Sequence, residues 1–103
     1  KLFSKMSVVI HHGGAGTTAT CAICGVPQII VPHILDQFYH GRQIYLSNLG
    51  AKPIWRSRLS VEKLVYALKD CLYNDTIQKT TKTAADSIDR EKNLSLAVRS
   101  LTA

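Results

Sequence analysis

Apolar positions along this chain follow two rhythms in turn. Val8, Val9 and Ile10 form a β-branched run that stops at His11 and His12, and predict a strand over residues 7–12. A proline-free stretch over residues 16–24 predicts a helix. Gly25 stands where a helix stop belongs, and Pro27 lies just beyond it. Gln28 to Val31 then read as a short strand of the apolar kind buried in parallel sheets, ended by Pro32. His33 to Leu35 are expected in a loop. Asp36 is expected to cap a helix over residues 37–49, with Gly50 as its stop. Residues 51–55 fit a third strand, at an edge because Pro53 cannot donate to a ladder.

The clearest helical spacing follows. Ser60 is a good N-cap, and Val61, Leu64, Val65, Leu68, Cys71 and Leu72 share one face, with Glu62, Lys63, Lys69 and Asp70 off it. Asn74 and Asp75 break the pattern. A weaker helix over residues 76–89 carries Ile77, Ala84, Ala85 and Ile88, and a short terminal one spans residues 94–101. The order β-α-β-α-(β)-α-α-α predicts an α/β fold: a short parallel sheet with crossover helices in a partial Rossmann-like three-layer sandwich. In such sheets ligands lie beyond the C-terminal ends of the strands. Two parallel strands would bring His11-His12-Gly13 and the Pro32 to Gln37 loop to one edge, so the two are read as one site.

Between the first strand and first helix runs Gly13-Gly14-Ala15-Gly16-Thr17-Thr18. Glycine admits φ > 0 and lets an anion approach the backbone, and a helix N-terminus offers unpaired N–H groups and the positive end of its dipole. Thr17 and Thr18 can cap the helix or donate to the same anion. The stretch reads as a diphosphate-binding turn.

Composition narrows the picture. The chain has 103 residues, enough for one small domain over 1–103. Thirteen basic against seven acidic residues give +6, which favours anions, but the basic residues are too dispersed for a nucleic-acid arm. No apolar run reaches the ~18–20 residues that span a bilayer, and membrane contact is not indicated. The first residues, without an initiator Met, read as a cut rather than a signal peptide. Cys21, Cys24 and Cys71 cannot all pair, which favours a reducing, cytoplasmic compartment.

The chain resembles the two-domain, twin-Rossmann nucleotide-sugar glycosyltransferases, above all the bacterial and fungal members that act on sterols, lipids and antibiotics. The residues that carry the resemblance are His11 through Thr18, then Gly25-Val26-Pro27-Gln28, then Pro32 with Asp36-Gln37. Gly50 to Pro53 and Leu59 to Leu64 fit as well. The resemblance covers nearly the whole chain but only about the last quarter of a full enzyme. It implies the donor-binding part of a UDP-glycosyltransferase that moves a hexose to an acceptor hydroxyl with inversion. His12, Gly14, Ala15, Gly16, Thr17 and Thr18 would face the donor diphosphate, and Asp36 and Gln37 the transferred sugar. The UDP-sugar is a substrate; no cofactor or metal is expected. The catalytic base would come from an N-terminal acceptor domain or subunit, so no catalytic residue is assigned here and the isolated chain is expected to be inactive. A donor subunit of a split enzyme and a truncated, non-catalytic nucleotide-binding module are the alternatives.

This chain departs from the pattern at two positions. Thr20 stands where plant members have a ribose-binding glutamate, and His40 where relatives often have Trp. The strand that stacks on uracil is expected to lie upstream of Lys1. Among the remaining residues, adjacent His11 and His12 point to opposite faces of a strand and would not share a metal ion. Cys21 and Cys24 are read as helix-face core, His33 and His40 as loop and helix-surface residues or substrate contacts, and Trp55 and Tyr66 as packing. A sheet edge left without its partner domain predicts self-association.

Overall fold

The computed structural model describes residues 7–87. It is an α/β unit with strand β1 at Val9–His11, helix α1 at Ala15–Cys24, strand β2 at Gln28–Ile30, helix α2 at Leu35–Leu46, a 3-10 turn at Arg56–Arg58 and helix α3 at Val61–Tyr73. Residues 75–87 are helical as well (α4). The two strands are parallel, with Val9 opposite Gln28, Ile10 opposite Ile29 and His11 opposite Ile30. Both therefore end at the same edge.

Alternation along the strands sorts the helices into layers. Val9 packs with Cys21 and Val26 on the α1 side, and Ile30 lies against α2, where a methyl group on Gly41 would stand 3.2 Å from it. Ile29 points the other way, into a core with Ala51, Ile54, Ala67 and Cys71, flanked by Val8, Leu64 and Leu68. Thus α1 and α2 cover one face and α3 the other, the expected three layers. The face that α3 buries is narrower than predicted. Leu64, Ala67, Leu68 and Cys71 turn inward, whereas Val61 is 78% exposed and Val65 and Leu72 stay at the surface.

The first helix behaves as expected. Gly25 takes φ 69° and its N–H reaches the Ala22 carbonyl, closing α1 in a left-handed turn. The second does not. Helix α2 starts at Leu35, two residues before the predicted start, and Asp36 sits inside its first turn rather than at the cap. The reason is Gln37, whose Oε1 accepts from the N–H groups of His33 (2.8 Å) and Ile34 (3.3 Å). The helix also ends early, at Leu46, because Asn48 takes the left-handed turn at φ 58°. Gly50 is therefore no helix stop. It pairs with Gln28, whose carbonyl a side chain at position 50 would strike.

The third strand is reduced to that bridge. Ala51 N–H donates to the Gln28 carbonyl (3.1 Å), and a regular parallel ladder would next use the N–H of residue 53 on the Ile30 carbonyl. Pro53 has none, so Ile54 makes the bond instead (3.0 Å), and the added residue throws the segment out of register. Ser60 caps α3 as expected, accepting from Lys63 N–H (3.2 Å). Asn74 ends α3 and starts α4, its Oδ1 accepting from the N–H groups of Thr76 and Ile77. Ile77 and Thr81 are the buried face of α4. The expected Ile88 contact and the 94–101 helix lie outside the described residues.

Candidate functional site

The turn between β1 and α1 is built around Gly13. Its φ is 94°, a left-handed value, and a Cβ there would lie 2.8 Å from Ile30 Cγ2 and 3.0 Å from the Gln37 carbonyl oxygen. Both of its backbone polar groups are held by histidines. Gly13 N–H donates to His11 Nδ1 (2.9 Å), and the Gly13 carbonyl accepts from His40 Nδ1 (2.6 Å). With Nδ1 an acceptor, the proton of neutral His11 is on Nε2, which donates to Gln28 Oε1 (2.6 Å). The Gln28 amide donates in turn to the Thr18 carbonyl (3.2 Å). Gln28 has no exposed surface, and this chain of bonds satisfies both ends of its side chain. Burial, with a smaller contribution from His12, lowers the His11 pKa against the raising effect of the Gln28 bond, which favours the neutral ring.

These bonds fix α1 so that its N-terminus points out of the sheet edge. Thr18 N–H to the Gly14 carbonyl (2.9 Å) is the first bond of the helix, so the N–H groups of Gly14, Ala15, Gly16 and Thr17 have no partner within it. Gly14 has an ordinary extended conformation (φ −62°, ψ 147°), and among the described residues a Cβ at Gly14 or at Gly16 would meet nothing within 4 Å. Neither glycine is required by its own backbone or by the described residues around it.

Of the predicted diphosphate group, His12, Gly14, Ala15, Gly16 and Thr17 gather at this helix end. Thr18 does so only in part, since its hydroxyl donates to the Gly14 carbonyl (2.7 Å) and has no proton left for an anion. Thr20 is engaged in the same way with Gly16 (2.8 Å). The imidazole of His12 is exposed and lies 4.2 Å from that of His33, centroid to centroid. Asp36 is exposed on the first turn of α2, which packs against Gly13 through Gln37. Gln37 brings less than expected, because its oxygen is committed to the start of α2 and only its amide NH₂ remains.

The residues missed as builders of this site are His11, Gln28 and His40. An amide opening an otherwise apolar strand was the available signal, since a buried polar group must find partners. Trp55 and Tyr66 are not the packing residues expected. Trp55 is half exposed, with Phe38 edge-on (5.6 Å) and Arg58 over its ring, and Tyr66 is 69% exposed. Both line a cavity of about 730 Å³ with Tyr45, Lys52 and Arg58 that none of the predicted site residues reaches.

In this parallel α/β unit the glycine turn opens onto a helix N-terminus beyond the C-terminal ends of the strands, the edge at which such folds take ligands. The chain belongs to the erythromycin biosynthesis protein CIII-like C-terminal domain family, whose model matches residues 1–96. It is 40% identical over 97 residues to the sterol 3-beta-glucosyltransferase UGT80B1 of Arabidopsis thaliana, covering 94% of this chain and 16% of that protein. It is 33% identical over 100 residues to a sterol 3-beta-glucosyltransferase of Komagataella phaffii, covering 97% of this chain and 8% of that one. The fold matches the glycotransferase of kitacinnamycin with a TM-score of 0.78 at 17% identity, over 86% of this chain and 23% of that one. The chain thus spans a small fraction of the proteins it matches.

Proposed function

We propose that this chain is the donor-binding portion of a glycosyltransferase, and that the donor is a UDP-sugar whose diphosphate sits over the N-terminus of α1. The observation that carries the reading is the open space at Gly14 and Gly16 beside helix N–H groups that have no partner within α1: among the described residues nothing demands glycine at either position. The membership and relatives reported above support transfer of a sugar. Diphosphate oxygens would accept from the N–H groups of Gly14, Ala15, Gly16 and Thr17 and from the Thr17 hydroxyl, with His12 alongside. Asp36 and the Gln37 amide would hold hydroxyls of the sugar. As an acceptor hydroxyl attacks the anomeric carbon and UDP departs, the negative charge growing on the diphosphate meets the positive end of α1. The base that takes the acceptor proton would come from an acceptor domain or subunit, and the outer edge of β1 is where self-association would occur.

The test is a titration with UDP and UDP-glucose followed by backbone amide shifts. The amides of Gly14 to Thr17 should move, while that of Gly13, already bonded to His11, moves less. Each lost hydrogen bond to a charged group is worth about 1.5–3 kcal/mol, so His12→Ala with Thr17→Ala should weaken binding more than tenfold. Thr18→Val should cost little of the affinity, and Asp36→Ala should weaken UDP-glucose while leaving UDP nearly unchanged. Unmoved amides over Gly14 to Thr17 at saturating UDP would refute the assignment.

A further inference from the structure

His33 takes no part in building the turn through its side chain, yet stands beside it. Its backbone N–H is fixed by Gln37, while its imidazole is exposed and faces His12 at 4.2 Å with the ring planes tilted by 36°. The parallel register places both residues just beyond the paired ends His11 and Ile30, at the edge where α1 begins. We propose that His33 is a second, proton-dependent ligand of the donor diphosphate, taking a proton from solvent as the diphosphate settles at α1 and returning it when the diphosphate leaves. The inference rests on the donor reading above and extends it to a residue that the reading leaves idle.

The surroundings disfavour a proton on the free ring. Partial loss of water, then His12, then the Arg56 guanidinium all hold the His33 pKa below 6.5. Among the described residues, the charged or titratable groups that act on it are His12 from the turn and Arg56 from the 3-10 segment, and neither is an anion. A bound diphosphate reverses this balance, because negative charge within about 4–6 Å favours the protonated ring. The complex then holds more protons than the free chain. Affinity rises as pH falls from the bound pKa of His33 toward the free one, and levels off below that.

UDP-glucose is the probe, since its diphosphate has no ionisation near neutrality and any pH dependence belongs to the protein. Binding to this chain should be roughly tenfold tighter at about pH 6 than at about pH 8, and the His33 ring proton followed by NMR should titrate at higher pH in the complex. His33→Gln should lose the gain at acid pH and keep the weaker affinity. His33→Lys, with a permanent charge, should bind tightly at both. If the Gly14 to Thr17 amides shift but wild type and His33→Gln share one pH profile, the inference is overturned and the donor reading stands. If those amides do not shift, both fall.

Discussion

Three glycines in one turn make a sharp test, because the structure asks different things of them. Gly13→Ala must hold a Cβ at φ 94° against Ile30 Cγ2 at 2.8 Å and the Gln37 carbonyl at 3.0 Å. The backbone conformation costs of order 1–3 kcal/mol and the overlap a similar amount, since the obstacles are a core methyl and a main-chain oxygen. A loss of about 2–5 kcal/mol is a large share of the ~5–15 kcal/mol that holds a small domain together. Gly16→Ala puts alanine inside the first turn of α1 with no described residue within 4 Å of its Cβ and should be neutral or stabilising, by up to about 1 kcal/mol. Gly14→Ala, at the N-cap, should change stability by no more than about 0.5 kcal/mol. Binding should show the reverse order of sensitivity. Both stable variants place a methyl group where a phosphate oxygen would approach, and should weaken UDP-glucose by about tenfold or more, about 1.4 kcal/mol. Urea denaturation gives the first set of values and calorimetric titration the second. Wild-type stability in Gly13→Ala would refute the account of the turn. Wild-type affinity in both Gly14→Ala and Gly16→Ala would refute the claim that their open space is there for a ligand.

Other bonds around the turn make further predictions. The folded-state pKa of His11 is lowered, so the unfolded chain binds the extra proton and stability should fall as pH drops below about 6.5; His11→Gln should remove part of that acid dependence, read as urea midpoints at neutral and mildly acid pH. Gln37→Ala leaves the His33 and Ile34 N–H groups without their acceptor and should cost about 1 kcal/mol in thermal unfolding, whereas Gln37→Glu keeps the acceptor and should lose only the donor to the sugar. Ser60→Ala should cost about 1 kcal/mol through the lost cap of α3. Burial pushes the thiols of Cys21 and Cys71 up to about 11, so iodoacetamide at neutral pH should label them only after unfolding.

What was legible in the sequence is what depends on neighbours along the chain. Helix α1 and its glycine stop, the Ser60 cap and the parallel pairing of two short strands all rest on local pattern, and all are found. The misplacements come from competition the pattern does not show. Asp36 is the better N-cap by residue type, but Gln37 reaches back to two N–H groups and starts the helix earlier. Gly50 resembles a helix stop, but the close approach of Gln28 claims it, and Pro53 removes the one N–H that would have made the next segment a strand. Gly13, His11, Gln28 and His40 sit far apart in sequence and meet only because β1 and β2 are parallel and α2 folds back over the turn. Their polar atoms are consumed by one another: two ring nitrogens on Gly13, the third on Gln28, the amide on Thr18. That consumption separates two populations within one motif. Residues whose hydrogen bonds are spent hold the helix end in place, and those left unspent among the described residues, His12, the amides of Gly14 to Thr17 and the ring of His33, are the ones with something to offer a ligand.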